Sequence, residues 1–432
     1  MTIQVVIVFV YMFLMLFISW YSTKLQKQGG SLSFLFADRN LNYVLIGCMI
    51  AGLAIGGAST VGVAQDAYTA GLSAGWYDVA WASGAVFTGL FLAKKIRESS
   101  FNTINEMWGR VFGPTFKNIS LIIQFIVNLV IVALQIVAGG ALLSALLPQF
   151  FTMDLGLIVS AAIFLGVAVV GGLWAASLTN VLNMIIIYIG TILGSIYAVK
   201  IFGGFSEIAA NLPVGMSGDG SHWFHLIKGM GPAAIIAWIV TMLLQGISNA
   251  GIMQSVVAAK SPGEAKKGVL LAALIMAPIG FISAIFGIIA AAFFPGLESS
   301  TMALPSVVMS LPSSVAGLLL AGLWAADVST ATGLMVTLGT MGTKDIVMGF
   351  ITGDISDDNQ LKISKLIIVG CAVAAYIMAT RVSSVLGALM TALTMFAPYS
   401  ILMTGMFLFP KTVKKSSGWV TFIVALIFFL LA

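Results

Sequence analysis

The stretch IGCMIAGLAIGGASTVGVAQDAY, Ile46 to Tyr68, decides how this chain is read. It is long enough to cross a hydrocarbon layer of ~30 Å, yet it carries Gly47, Gly52, Gly56, Gly57 and Gly62, with Ser59 and Thr60 among them. Glycine inside a helix costs about 1 kcal/mol relative to alanine. A second segment, WIVTMLLQGISNAGIMQSVVAA from Trp238 to Ala259, repeats the mixture with Gln245, Gly246, Ser248, Asn249, Gly251 and Gln254. Glycines alone would serve close helix packing. Clustered with hydroxyl and amide side chains, they point to two helices that unwind inside a bilayer, the sequence sign of carriers built from inverted repeats.

The rest of the chain agrees with a membrane setting. Of 432 residues, 60% are hydrophobic and 8% charged, and the mean hydropathy is +1.08. A water-soluble surface needs far more charge. Hydropathy, Gly/Pro breaks and charge predict an all-α integral membrane protein of about twelve spans: 3–23, 44–70, 75–93, 118–147, 155–171, 176–201, 232–257, 267–295, 314–343, 362–380, 383–409 and 417–432. Segments 100–113 and 301–311 read as interfacial helices. The first span has no basic residue before it and outruns a secretory signal, so it is expected to be retained. The last stops at Ala432, which leaves room for a further helix beyond it.

Charge tests this topology. With the N-terminus outside, all of the twenty Lys and Arg except Lys200, Lys228 and Arg381 fall in cytoplasmic loops, as the positive-inside rule requires. The pI near 9.1 therefore reflects topology, and no nucleic-acid partner is expected. A multi-pass protein of the cell membrane, with the lipid bilayer as a partner, is expected. Cys48 and Cys371 lie in apolar segments, so no disulfide or metal framework is implied.

Several segments resemble the sodium:solute symporter family. Ser33-Phe34-Leu35-Phe36-Ala37-Asp38-Arg39-Asn40-Leu41 is similar to the loop before the family's first core helix, and Ser59-Thr60-Val61-Gly62 through Ala67 to Ser73 to that helix. Asn249 to Gln254, then Ala258 to Pro262 with Glu264-Ala265, resembles the sixth core helix and the loop after it. Val328-Ser329-Thr330, continuing to Thr343-Lys344-Asp345-Ile346, resembles the eighth. The matches keep family order over roughly 1–415. The resemblance implies a LeuT-type fold of one transmembrane domain: an extra N-terminal helix (3–23), five helices (44–201), five more inverted (232–409), and an additional C-terminal helix (417–432).

It also implies sites. Sodium wants oxygen ligands, which an unwound helix supplies as carbonyls. By resemblance these would be the carbonyls of Gly52, Ile55 and Ala326 with the hydroxyls of Ser329 and Thr330. The family's fifth core helix usually carries an aspartate where Asn180 stands here, so one sodium per cycle is expected. Asp327 lies mid-span, where an ionised acid is costly unless it is paired or hydrated. It is a coupling candidate that could lend charge to the sodium site, line an inner water path or titrate, against a purely structural role. Asp78 follows Trp76-Tyr77 where a sugar-carrying relative has a solute-contacting carboxylate; a residue at the interfacial start of a span is the other reading. Asp66 is a gate residue or a solvated helix end. Ser59, Gln124, Gln135, Gln245, Ser248 and Asn249 are candidate solute contacts, although an isolated Gln more often bridges helices.

No phosphate loop, HExxH or GxSxG occurs. His222-Ser-Trp-Phe-His225 has metal-pair spacing but no further ligand nearby. The chain is thus expected to be no enzyme and to hold no cofactor, with Na+ as coupling ion for import of a small organic solute. Each charge moved inward through 100 mV supplies ~2.3 kcal/mol, or roughly 50-fold accumulation. The alternatives are a solute sensor on the same fold, disfavoured by the lack of a soluble domain, and a proton-linked or uncoupled carrier.

Overall fold

Long apolar stretches leave the backbone no partner but itself in lipid, so they fold as helices. The computed structural model describes residues 3–26, 29–214, 220–297, 299–350, 355–381 and 395–431. The principal helices are α1 (Ile3–Ser22), α2 (Tyr43–Ala54), α3 (Val63–Ala70), α4 (Trp76–Phe87), α5 (Pro114–Leu146), α6 (Met153–Ile201) and α7 (Gly231–Ser248). They continue as α8 (Ala250–Val257), α9 (Pro262–Met276), α10 (Ile279–Phe293), α11 (Ser313–Thr340), α12 (Asp357–Ala379), α13 (Ala397–Leu408) and α14 (Lys415–Leu431). Among the described residues, eight helical stretches are long and apolar enough to cross a bilayer.

The predicted segments map onto these elements with informative differences. Span 44–70 breaks into α2 and, after a π-helical turn at Ala58–Gly62, α3. Span 232–257 breaks into α7 and α8. Spans 155–171 and 176–201 join as α6, kinked at Gly172. The two interfacial segments contain the helices Ile104–Phe112 and Ala303–Met309. Of the predicted span 383–409, residues 383–394 lie outside the described residues, and with them part of the expected second repeat, 232–409.

Helix α11 is the shaft of the bundle. It packs on α6, α5 and α1, and every residue from Leu319 to Thr343 is buried. Peripheral helices turn apolar side chains outward instead: Phe9, Phe13 and Phe17 on α1, Val373 and Ile377 on α12. Lipid, not water, is the medium such faces suit. The two broken helices are tied together at one end. Leu41 N–H donates to the Ala258 carbonyl at 3.0 Å, and Lys260 N–H to the Leu41 carbonyl at 2.8 Å. The Tyr43 N–H reaches the Glu264 carboxylate at 2.7 Å.

The loop 33–41 anchors this end. Ala37, Asp38 and Arg39 all have positive φ, a costly geometry for residues with a Cβ. Asp38 holds it by accepting from the Ser33 hydroxyl at 2.7 Å and from Trp174 Nε1 at 3.1 Å. The α6 kink serves the same contact: Gly172 has φ 56°, and a Cβ there would stand 2.3 Å from the Phe34 carbonyl oxygen. Gly172→Ala should therefore destabilise the folded protein by about 1–3 kcal/mol, read as a lower melting temperature in detergent; an unshifted melt would show that the kink is dispensable.

Candidate ion and solute site

Helix α2 ends because Gly56 and Gly57 follow it and the partners packed there leave no room for a side chain. A Cβ on Gly56 would meet Gln135 Oε1 at 3.0 Å and Thr330 Oγ1 at 3.1 Å; one on Gly57 would meet Asp327 Oδ1 at 3.0 Å. Ile55 leaves the helix with φ −79° and ψ 96°. The last carbonyls of a helix have no amide four residues on to receive, and the Ser59 amide that would have served Ile55 goes to Gly56 instead, at 3.0 Å.

Two hydroxyls of the unbroken α11 face these freed carbonyls. Ser329 Oγ donates to the Ala326 carbonyl at 2.7 Å and lies 3.1 Å from that of Gly52 and 3.4 Å from that of Ile55. Thr330 Oγ1 donates to the Gly52 carbonyl at 2.8 Å, with Ala326 O at 3.3 Å. All five residues are buried. Two hydroxyl protons cannot satisfy three carbonyls while both hydroxyl oxygens keep their own lone pairs. The cluster is rich in oxygen and poor in protons, the chemistry of a hard-cation site. It holds together the five residues that the resemblance nominated.

The second break lies across from the first. Asn249 leaves α7 with φ −68° and ψ 123° and caps α8, its Oδ1 accepting from Gly251 N at 2.9 Å and Ile252 N at 3.2 Å. Between the breaks is a cavity of about 30 Å³, room for one or two waters. Gln135, Gln245, Asn249 and Thr330 contribute its polar wall, Tyr77 and Trp81 its aromatic one. Three buried groups of this wall have no hydrogen-bond partner: Gln135 Oε1, Gln245 Oε1 and Trp81 Nε1. Buried polar groups are rarely left so, and here they converge on one small space.

The profile of the sodium:solute symporter family matches residues 34–421. This chain belongs to that family. It is similar to the sodium/glucose cotransporter of Vibrio parahaemolyticus, 25% identical over 83% of this chain and 70% of that protein. It is also similar to the osmoregulated proline transporter OpuE of Bacillus subtilis, 24% identical over 89% of this chain and 79% of that one. Among solved structures, a Na+-coupled sialic acid symporter in a substrate-bound outward-open state superposes with a TM-score of 0.80, at 16% identity, over 99% of this chain and 96% of that one. The symporter is thus a membrane-embedded, multi-pass transporter of LeuT-like fold whose coupling ion is sodium; it is not an enzyme.

Of the remaining candidates of this symporter, Asp327 and Asn180 lie beside the break. Asp327, at 0% exposure, accepts from the Gly57 N–H at 3.0 Å through Oδ1, while Oδ2 is buried without a partner. It therefore braces the start of the half-helix after the break. Asn180 ends a chain of amides: Tyr11 donates to Asn183 at 2.7 Å and Asn183 to Asn180 at 3.1 Å, leaving Asn180 Nδ2 beside Gly52. Asp66 is half-buried on α3. Ser59 and Asp78 do not line the cavity: Ser59 donates to the Ala54 carbonyl at 3.1 Å, and Asp78 is fully buried. Gln124 and Ser248 are buried away from it, Ser248 joining Ser400 at 2.8 Å. His225 Nδ1 accepts the Ile227 and Lys228 amides at 3.0 and 3.1 Å, closing a turn, and His222 packs on Trp223. Among the described residues no His, Cys or acid cluster fits a metal.

Residue typing alone did not single out Tyr77 and Trp81. Their i, i+4 spacing puts them on one face of α4, from which Asp78 is turned away. Nor did it single out Gln254, which donates to the Leu35 carbonyl at 2.8 Å and to Thr340 at 2.6 Å while accepting from Thr337 at 2.9 Å. The Thr337, Thr340 spacing along the Ser329 helix was the available signal. Replacing both Ser329 and Thr330 by Ala should raise the sodium concentration for half-maximal stabilisation or uptake about 10–100-fold, as expected for the loss of roughly 1–3 kcal/mol of ligation. Wild-type sodium dependence in the double variant would remove these hydroxyls from the ion site.

Proposed function

We propose that the symporter imports a small organic solute without net charge, with sodium held at the α2 break by the carbonyls of Gly52, Ile55 and Ala326 and the hydroxyls of Ser329 and Thr330. The observation that carries this reading is the proton-poor oxygen cluster itself. The solute binds at the neighbouring cavity once it widens beyond the room for one or two waters it has here, and Gln135, Gln245, Asn249 and Trp81 meet it. Among the described residues no charged side chain lines that cavity, so a solute with net charge would enter a space of low dielectric uncompensated. Carbonyl and amide groups waiting for donors, with an indole N–H waiting for an acceptor, suit a polyhydroxy compound or a zwitterion.

Segments 44–201 and 232–409 form the two inverted repeats of this proposal, each opening with its broken helix. The chain sits in the cell membrane with its N-terminus outside, which the asymmetry of Lys and Arg supports. Because Ala54, Gly56 and Thr330 border both the ion cluster and the cavity, sodium and solute strengthen each other's binding by the same factor.

Reconstituted in liposomes, the protein should take up a neutral or zwitterionic solute from a panel only under an inward sodium gradient. Uptake that persists unchanged with choline in place of sodium would favour the uncoupled or proton-linked carrier. Gln135→Leu or Gln245→Leu should raise the solute KM about tenfold, the cost of roughly one buried hydrogen bond, with the sodium half-saturation nearly unmoved. Equal losses in both would place these amides outside the solute site.

A further inference from the structure

We infer that the symporter has a second monovalent-cation site, centred on the carboxylate of Asp78 and completed by the hydroxyls of Ser59 and Ser283. The inference rests on the sodium-symport reading and adds to it an ion site outside the α2 break.

Asp78 lies in the first turn of α4. It is 0% exposed, and neither carboxylate oxygen has a hydrogen-bond partner. Its Oδ2 presses against α10, 2.7 Å from where a Cβ of Gly280 would stand. One turn along the same face of α10, Ser283 buries an Oγ that is also without a partner. The Ser59 hydroxyl on the broken helix has one proton to divide between the Asp78 carboxylate and the Ala54 carbonyl 3.1 Å away. Among the described residues the one ion pair is Arg110–Glu106; no Lys or Arg neutralises Asp78. A carboxylate alone at this depth is expensive, and polar groups buried without partners call for an explanation.

The surrounding groups select among the possible partners. The groups gathered here are carboxylate and hydroxyl oxygens, which suit a small hard cation. A cationic group of the solute fits less well, because Tyr77 and Trp81 line the cavity whereas Asp78 on the same helix does not. The position also makes sense kinetically. Asp66 lies two turns further along the half-helix from Ser59, and Ser59 touches the carbonyl of Ala54, the neighbour of Ile55. A cation at Asp78 raises the count above the one that Asn180, in place of an aspartate, suggests.

The test is a count of bound 22Na+ on the purified full-length protein, by equilibrium dialysis in choline-balanced salt. Two sodium ions per wild-type chain are expected, with one lost in Asp78→Asn, and the other lost in the Ser329→Ala, Thr330→Ala double variant. Asp78→Glu should keep two, and Ser283→Ala, which removes only a hydroxyl, should weaken the Asp78-dependent ion about 3–10-fold. The Ser283 variant keeps the test decisive if Asp78→Asn fails to fold. One ion in the wild type, lost only with Ser329 and Thr330, would overturn the second site and leave symport standing, as would two ions in Asp78→Asn. No bound sodium in any form would overturn the sodium site at the break as well.

Discussion

Two hydroxyls on an unbroken helix facing the carbonyls of a broken one is the constraint on which the rest of the structure depends. Helix α11, which carries the Ser329 and Thr330 hydroxyls, is unbroken and is buried from Leu319 to its end in the middle of the bundle. The other wall must offer carbonyls, so α2 stops at Ala54. A helix can stop inside a membrane only where something other than lipid receives its freed groups. Asp327 does so on one side by taking the Gly57 N–H, and the α11 hydroxyls do so on the other. Each device is the reason for the next. The glycines permit the break, the break frees the carbonyls, and the carbonyls pack against hydroxyls that also bond back to the Ala326 carbonyl of their own helix.

Much of this was legible from residue type and spacing. Apolar length gave the helices, and glycine mixed with polar side chains marked both breaks. What spacing could not give was direction. Asp78 follows Trp76 and Tyr77 in the chain, yet a helix turns about 100° per residue, so Tyr77 and Trp81 share the cavity face while Asp78 meets α10. Ser59 was read as facing a solute because it is polar and near the break; it instead receives no amide role and serves the orphan carbonyl of Ala54. The α6 kink was read as a gap between two spans, because Gly171-Gly172 looks like a loop in one dimension. It is a single glycine in a left-handed conformation that lets the loop before α2 come close. In each case the missing information was a contact between segments far apart in the chain.

The distribution of charge completes the argument. The cavity wall is neutral, while the nearest acids, Asp327 and Asp78, stand behind it on helices that also touch the half-helix after the break. Neither is neutralised by a basic side chain among the described residues. The acids stand close to the break that frees the carbonyls, Asp327 through its hold on the Gly57 N–H. On the reading proposed above, a cation at the break satisfies the carbonyls, while an uncharged solute is recognised by Gln135, Gln245, Asn249 and Trp81. On that reading, one thin, broken helix separates the two kinds of recognition, and ion and solute are linked through the residues between them, Ala54 to Gly57.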